Sequence, residues 1–182
     1  MKTKLLAGLL ALTLGTGAVM AQDAPADAFG SDEDVKYAEL IWEVMAAERL
    51  AGPGMLITVP YEGTNPHGTF LETFYTRATI NGHEGDLIVK RNYGAKDIDA
   101  DKVMGDPQKY LGAYTVMFRR EAGYDPDNKD WFWIRYKKDG SISRTKKDGP
   151  FMAGRLAERC SDCHQGAEGD MVFTSDYLNT AE

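Results

Sequence analysis

The sequence is poor in cysteine and histidine, with only two cysteines and three histidines among its 182 residues. The two cysteines, Cys160 and Cys163, stand close together, and no second pair of cysteines or histidines accompanies them. A structural zinc site, which takes four protein ligands, is therefore disfavoured. Disulfides between distant segments are excluded as well, but a chain of this length can bury a stabilising core without them.

Basic residues are outnumbered by acidic ones, 21 against 28, which gives a net charge of −7 at pH 7. A negatively charged chain is poorly suited to bind nucleic acid or an anionic membrane surface, so we expect neither as a partner. The chain also lacks internal repeats and any change of composition that would mark a second domain. With 43% hydrophobic and 27% charged residues, it has the composition of one globular domain.

A long apolar run occurs only near the N-terminus, at residues 5–20. Two lysines precede the run, and small residues occupy positions 19 and 21, which signal peptidase inspects. The pattern predicts a secretory signal at residues 1–21, cleaved after Ala21. A retained membrane anchor is the weaker alternative, because glycine and threonine interrupt a run of only 16 residues. No cysteine follows the cleavage site, which disfavours a lipoprotein.

Export predicts a periplasmic protein without membrane insertion. Cleavage removes two lysines and no acid, so the net charge changes from −7 to −9. Residues 22–30 are rich in Ala, Asp and Pro and are predicted to be disordered. Residues 31–182 are predicted to form a single domain.

The apolar periodicity predicts one helix followed by strands. Ser31 is a good N-cap, three acidic residues follow it, and apolar residues then recur at helical spacing until Gly52 and Pro53. From Met55 onward the period shifts toward two. The predicted strands are 55–60, 69–76, 87–93, 113–120 and 131–137, with a turn at 82–85 before the third.

Two further segments complete the predicted fold. Residues 131–134 are apolar on both faces, so this strand should be covered on both sides. Residues 152–164 are predicted to be a loop that enters a short helix. The fold class is α+β, mainly an antiparallel sheet with an N-terminal helix and a short helix near the C-terminus that carries the motif described next.

Residues 160–164 read Cys-Ser-Asp-Cys-His, a C-x-x-C-H arrangement. This is the spacing of c-type haem attachment, in which two thiols form thioethers with the haem vinyl groups and the histidine ligates the iron. We therefore predict one covalent haem c per chain, held by Cys160 and Cys163, with His164 as proximal ligand. A redox dithiol is the alternative, but it expects a thioredoxin-like βαβ context that the sequence does not show.

Other motifs surround this site in order along the chain. They are residues 65–68 (NPHG), 85–90 (GDLIVK), 123–126 (GYDP), 130–133 (DWFW) and 170–174 (DMVFT). With the signal and the N-terminal helix, they make the chain, from about Ser31 to Phe173, resemble the cytochrome P-460 family, which includes cytochrome c′-beta. C-x-x-C-H alone indicates only a cytochrome c. Its place near the C-terminus of a largely β chain points to this family.

The resemblance implies a mainly β, homodimeric periplasmic protein with one high-spin haem that is open on its distal side. Members bind nitric oxide and similar small molecules, or oxidise hydroxylamine. In the oxidising members a lysine is cross-linked to the haem, and the matching residue here is Lys90. By alternation Lys90 shares a strand face with Ile88, and the matched motif puts that face at the haem edge. A solvated strand lysine is the alternative.

The oxidising members also carry a distal carboxylate, which can serve as a general base. The matching position is Thr115, which cannot act as a base, so the resemblance puts hydroxylamine oxidation in doubt. Glu72 and Glu121 are nearby in sequence and could substitute, although both are expected to face solvent.

Axial ligation separates three candidate functions. A haem with an open site could bind nitric oxide or related N-oxides, or could oxidise hydroxylamine or nitric oxide through modification by Lys90 and pass electrons to a partner cytochrome. A haem with a second ligand, His67 or a methionine, would be a low-spin electron carrier. The alternative for His67 is a turn residue bonded to backbone, and for Met45 and Met117 it is core packing. His83 is expected to be exposed in a turn.

Overall fold

The computed structural model describes residues 29–173. The predicted signal sequence, residues 22–28 and residues 174–182 lie outside this part. Phe29 and Gly30 fall within the predicted disordered segment, but the Gly30 amide donates to the Ala153 carbonyl (2.8 Å) and Phe29 packs against buried side chains. These contacts attach both residues to the folded domain.

Helix α1 spans Asp32–Ala47 and confirms the predicted N-terminal helix. The Ser31 hydroxyl accepts a hydrogen bond from the Asp34 amide (3.1 Å), and the Asp34 carboxylate accepts one from the Ser31 amide (3.1 Å). This reciprocal capping box satisfies amides that the first turn leaves unpaired. The residues buried on its inner face are Tyr37, Ala38, Ile41 and Met45.

Six antiparallel strands form one sheet, in which each strand pairs with the next along the chain. The strands are β1 Tyr61–Glu62, β2 Phe70–Ile80, β3 His83–Tyr93, β4 Leu111–Arg119, β5 Trp131–Lys137 and β6 Ala153–Gly154. The sheet with its few helices confirms the predicted α+β class.

The β2–β3 hairpin turns on Asn81 and Gly82, whose φ angles are +50° and +81°. Two consecutive left-handed residues form the type I′ turn that matches the twist of paired strands. β3 therefore begins at His83, and the predicted turn at 82–85 is too long. Gly85 lies inside β3, where an added Cβ would lie 2.1 Å from the Arg119 carbonyl oxygen.

The predicted strand at residues 55–60 is wrong, because this segment pairs with no strand within residues 29–173. Side chains bind its backbone instead. The Thr58 amide donates to Glu72 Oε1 (2.6 Å), and Arg91 donates to the Leu56 carbonyl. Since these backbone groups are satisfied by side chains, they do not need a neighbouring strand.

Short helical segments join the later strands. α2 Ala100–Gly105 and α3 Pro107–Tyr110 follow β3, and a 3₁₀ turn, Pro126–Asn128, follows β4. After β6 come a π-helical turn, Ala157–Ser161, and then α4 Asp162–His164 and α5 Glu168–Met171. A short helix is thus present where the sequence predicted one. Within residues 29–173, no helix is both long enough and apolar enough to cross a membrane.

The sheet is buried on both faces. α1 covers the inner face, where the Tyr136 hydroxyl donates to the Ala38 carbonyl (2.5 Å). The outer face packs against the segment that follows β6. The buried residues of this second core are Ile88, Met117, Trp131, Trp133, Leu156 and Met171. All of residues 131–134 are buried, which confirms the expectation that this strand is covered on both sides.

Candidate functional site

A cavity of about 460 Å³ lies between the outer face of the sheet and the C-terminal segment. This volume falls in the range of roughly 300–1,000 Å³ typical of small-molecule and cofactor sites. Its apolar lining includes Ile88, Met117, Trp133, Val172 and Phe173. Its polar lining comprises His67, Tyr75, Lys90, Asn92, Thr115, Arg135, Arg159, Cys160, Cys163 and His164. The cavity therefore brings Lys90 together with Cys160, Cys163 and His164, which lie 70 or more positions further along the sequence.

The strand register aligns three polar residues across the sheet. Lys90 on β3 pairs with Thr115 on β4, and Thr115 pairs with Arg135 on β5. Directly paired residues point to the same face, so this row faces the cavity. Ile88 also lines the cavity, which confirms the predicted common face of Ile88 and Lys90.

The two cysteines lie on consecutive turns of helix. Cys160 lies in the π-helical turn, where its amide donates to the Leu156 carbonyl (2.8 Å), and Cys163 lies in α4. Both are free thiols, Cys160 partly buried and Cys163 exposed. Burial raises the pKa of Cys160 to about 12, since a thiolate would lose its hydration there. This thiol is therefore held protonated in the cavity wall.

His164 is buried and oriented by one hydrogen bond. Its Nδ1 lies 2.8 Å from the Met171 carbonyl oxygen and donates to it. Its ring packs edge-on against Trp133, with centroids 4.8 Å apart, and against Phe173 at 5.4 Å. Burial lowers the pKa of His164, while the bond to Met171 opposes that shift. The ring is therefore neutral near pH 7 and leaves Nε2 without a proton, which is the state that binds a metal.

Asp170, the residue before Met171, is held in turn by contacts from β4 and β5. Arg119 pairs with the Asp170 carboxylate and with Asp86 (3.1 Å), and its guanidinium stacks on Trp131 at 4.0 Å. The Trp131 indole N–H donates to the Asp170 carbonyl (2.9 Å). We call these residues, Arg119, Trp131 and Asp170, the Arg119 clamp. The sequence motif flagged Asp170, but nothing in it predicted Arg119.

Three cations line the cavity without a partner. Among residues 29–173, Lys90, Arg135 and Arg159 form no ion pair, and no carboxylate belongs to the lining. Burial lowers the pKa of Lys90 because the ammonium loses hydration. In a chain of net charge −7, this local positive charge favours an anionic group in the cavity.

His67 lies in the same cavity. Its backbone amide donates to the Thr64 carbonyl (3.0 Å), as expected of a turn residue. Its side chain does not bond to backbone, however: Nδ1 lies 3.3 Å from Thr115 Oγ1, and the ring centroid lies 6.2 Å from that of His164. Burial, helped by the nearby positive charge of Lys90, lowers the pKa of His67 to about 4. His67 is therefore uncharged at neutral pH.

Three other sequence candidates lie away from the cavity. His83 is half-buried on β3, with Nε2 3.2 Å from the Arg119 carbonyl oxygen, so the predicted exposed turn position is wrong. Glu72 is fully buried, not solvent-facing, because Arg91 pairs with it at 3.1 Å. Glu121 is exposed as expected, and Arg120 lowers the pKa of its carboxyl to about 2. None of them lines the cavity.

The methionine candidates divide between the two cores. Met45 is fully buried under α1, as expected of a core residue. Met117 packs in the outer core and also lines the cavity.

Sequence reasoning missed Asn92, Arg135 and Arg159 as lining residues. The first two could have been found only from the register, which aligns neighbouring strands across the sheet.

Two polar atoms of the lining residues are buried with no hydrogen-bond partner in the part of the chain that the structure describes. They are Oδ1 of Asn92 and Nε1 of Trp133, in residues only 4% and 2% exposed. Buried polar groups are almost always hydrogen-bonded, so unpaired ones at a cavity indicate a bound polar group.

Within the described part of the chain, no group of three or more His, Cys, Asp or Glu side chains is placed to hold a bare metal ion. Comparisons with known proteins give no relative: no family model, curated protein or solved structure matches this chain.

Proposed function

We propose that this protein is an exported, periplasmic c-type cytochrome of the cytochrome P-460 type, which binds nitric oxide or related small N-oxides at one high-spin haem. Cys160 and Cys163 would hold the haem covalently, and His164 would be its proximal ligand. The observation that carries the proposal is the convergence of this motif with an apolar, cation-lined cavity against the sheet.

The donor set fits haem c. Both thiols are free, and Nε2 of His164 is available because Nδ1 is engaged by Met171. Haem carries two carboxylates, and three unpaired cations with no carboxylate in the lining suit a dianionic group. Aromatic and aliphatic side chains suit the flat apolar macrocycle.

When bound, haem would supply an iron at which a small molecule can bind, with His164 as its ligand from the protein. The chain contributes the surroundings of that position. Met171 fixes the orientation of His164, Trp133 and Phe173 pack against the imidazole ring, and the outer core limits the entry of water.

The second candidate function is oxidation of hydroxylamine or nitric oxide by a haem modified through Lys90, with a cytochrome as electron acceptor. The buried, unpaired position of Lys90 favours it, because a desolvated amine is more nucleophilic. Thr115, its neighbour in the row, offers no base for removing a proton from hydroxylamine. We therefore rank ligand binding first. A homodimer is proposed from the resemblance alone.

Mass spectrometry and optical spectroscopy of the protein from a strain that matures c-type cytochromes test the proposal. The denatured chain should keep the mass of one haem, and Cys160→Ala with Cys163→Ala should lose it. The ferric protein should give high-spin electron paramagnetic resonance signals. A chain that lacks the haem mass contradicts the proposal. A purely low-spin electron paramagnetic resonance signal supports the electron carrier instead. A strongly red-shifted Soret band supports the Lys90-modified enzyme.

A further inference from the structure

A second concavity, open to solvent and about 700 Å³ in volume, lies between α1, the end of β5 and the loop at residues 141–151. Its lining contains four cations, Lys137, Arg144, Lys146 and Lys147, and one carboxylate, Glu39. We call it the basic groove. Since the chain as a whole carries a net charge of −7, the groove is a local concentration of positive charge on a negatively charged molecule.

The positive charge of the basic groove is not neutralised from within the chain. Among residues 29–173, none of its four cations forms an ion pair. Its three lysines are exposed. Arg144 stacks its guanidinium on the Phe151 ring at 3.6 Å, and its Nη1 donates to the Gly149 carbonyl (2.7 Å). A ring and a carbonyl orient the guanidinium without cancelling its charge, so the charge is left for a partner.

Backbone hydrogen bonds hold the loop that carries three of these cations. The Thr145 amide donates to the Pro150 carbonyl (3.1 Å). Within that turn, the Gly149 amide donates to the Lys146 carbonyl (3.0 Å). A loop that is already ordered loses less conformational entropy on binding than a mobile one. The basic groove is therefore preorganised for a partner.

The basic groove adjoins the cavity at two places. Phe151 lines the groove, and Met152, the next residue, lines the cavity. Lys137 lines the groove, and Arg135, which shares its face of β5, lines the cavity. The Arg135 amide donates to the Met152 carbonyl (3.0 Å), so the two places are joined. A protein docked in the groove would therefore lie beside the cavity wall.

The chemistry of the basic groove favours a protein with an acidic surface over other anions. All five charged side chains of its lining are exposed, so water and salt would screen their hold on one small anion. Several spread cations instead match several carboxylates on a folded partner. The partly buried Val35 and Phe151 and the buried Ile142 offer apolar contact to such a partner. A long nucleic acid or a flat anionic membrane would also meet the negative charge of the rest of the chain.

We propose that the basic groove docks an acidic electron-carrier protein beside the cavity. This inference rests on the proposed function, because a haem in the cavity gives the carrier a redox counterpart. One electron would pass from the reduced cofactor of the carrier to the ferric haem iron, while no bond is formed or broken and no proton moves. The inference adds to the proposed function the surface at which a redox partner docks and the charge of that partner.

Reduction kinetics of the haem-loaded protein test the inference, with a reduced acidic flavodoxin as the probe. The flavodoxin is mixed with the ferric protein in a stopped-flow spectrometer at low and at high ionic strength. The double variant Lys146→Glu with Lys147→Glu should slow the second-order reduction by roughly tenfold or more at low ionic strength, because it reverses two charges that steer the encounter. High salt should diminish this difference, since it screens exposed charges.

A matched double variant controls for net charge. Lys96→Glu with Lys109→Glu changes the charge equally at two exposed positions outside the basic groove and the cavity, and should leave the rate within about twofold of the wild type. An uncharged flavin semiquinone should reduce all three proteins at the same rate, because it is not steered by charge.

Calorimetric titration of oxidised flavodoxin into the ferric protein measures docking without electron transfer. The wild type and the control variant should bind with the same affinity, and the groove variant should bind more weakly. Equal weakening in both double variants, or in neither, would overturn the inference. Tighter binding of anionic vesicles or duplex DNA than of flavodoxin, lost in the groove variant, would reassign the groove to that partner. Self-association of the wild type that the groove variant abolishes would reassign it to a second copy of the chain.

Failure of the proposed function is seen separately. A wild type without haem mass would remove the electron transfer along with the proposed function. A haem-loaded wild type whose titration and reduction do not depend on Lys146 and Lys147 would overturn this inference alone.

Discussion

At the level of single residues, the chemical state of the Lys90 amine distinguishes the ligand-binding hypothesis from the hydroxylamine-oxidation hypothesis, because the amine has two chemical fates. Burial lowers the pKa of Lys90, and a deprotonated amine could bond to an oxidised haem macrocycle, which would take up the two electrons released as a C–N bond replaces a C–H bond and an N–H bond. A charged Lys90 would instead pair with a haem carboxylate. Its row neighbours are Thr73 and Thr115, neither of which is a base, so we favour the second fate.

Peptide mapping of the haem-loaded protein distinguishes these fates. We expect the Lys90 peptide to be recovered separately from the Cys160 peptide. We also expect the wild type to oxidise little or no hydroxylamine, so that Lys90→Ala changes the turnover little. Lys137→Ala, at an exposed position on β5, is the matched control. A Lys90 peptide tied to haem, together with hydroxylamine turnover that Lys90→Ala abolishes, would reverse our ranking of the two functions.

The buried pair Glu72–Arg91 gives a residue-level prediction about stability. Both side chains are fully buried, with Arg91 Nη1 3.1 Å from Glu72 Oε2. Arg91 also donates to the Leu50 carbonyl. Glu72→Gln leaves the Arg91 charge without its counter-charge, which should lower the free energy of unfolding by about 3–5 kcal/mol. Urea unfolding followed by circular dichroism measures it.

The exposed pair Arg77–Glu84, at 2.9 Å, is the control for that measurement. Glu84→Gln should cost no more than about 1 kcal/mol, because solvent screens exposed ion pairs. The Glu72 pair lies on the inner face, away from the cavity, so the haem spectrum should not change. Equal costs for the two variants would show that Arg91 is satisfied by backbone carbonyls alone.

At the level of secondary-structure elements, the Arg119 clamp connects the β4–β5 hairpin to the segment that orients His164. Arg119→Gln should loosen the Met171 carbonyl and weaken its hydrogen bond from His164 Nδ1. That bond makes the imidazole a more basic ligand, so weakening it should raise the haem reduction potential. Spectroelectrochemical titration measures the potential. Arg77→Gln, which breaks an exposed pair, should leave it unchanged, and an equal shift in both variants would exclude the clamp.

Elements defined by local chemistry could be predicted from the sequence, whereas those defined by distant partners could not. The Ser31 cap and the alternation of β3 to β5 are local, and the sheet and α1 appear where predicted. Residues 55–60 have a strand-like pattern, but the side chains of Glu72 and Arg91 form hydrogen bonds with backbone groups of this segment, which therefore joins no strand of the described sheet. The burial of Glu72 was missed for the same reason, since Arg91 is 19 positions away in sequence.

The candidate site shows the same division. Cys160, Cys163 and His164 are adjacent in sequence, so their spacing alone identifies them. Lys90 was singled out by its match to the lysine of the family motif, and alternation placed it on the same strand face as Ile88. Arg135 and Asn92 became visible only through the register of β3, β4 and β5, which fixes which residues stand side by side. The contact of His67 with Thr115 spans 48 positions, and no local pattern encodes it.

For the whole molecule, the sheet separates two cores of unequal size. The inner core under α1 contains many buried side chains from all long strands, while the outer core has six buried members within residues 29–173. The cavity of about 460 Å³ interrupts the outer core further. Regions with few buried apolar contacts open more readily than the rest of a fold. The C-terminal segment should therefore depend on bound haem more than the sheet does.

Limited proteolysis tests this dependence. In the variant with Cys160→Ala and Cys163→Ala, trypsin should cleave after Arg155 and Arg159 at least roughly tenfold faster than in the haem-loaded wild type, because segment opening becomes more frequent. Cleavage after Lys102, exposed in α2, should proceed at the same rate in both proteins and serves as the internal control. If all sites accelerate together, haem stabilises the whole fold as one unit. If none accelerates, the outer core is stable without it, and the two-core account is wrong.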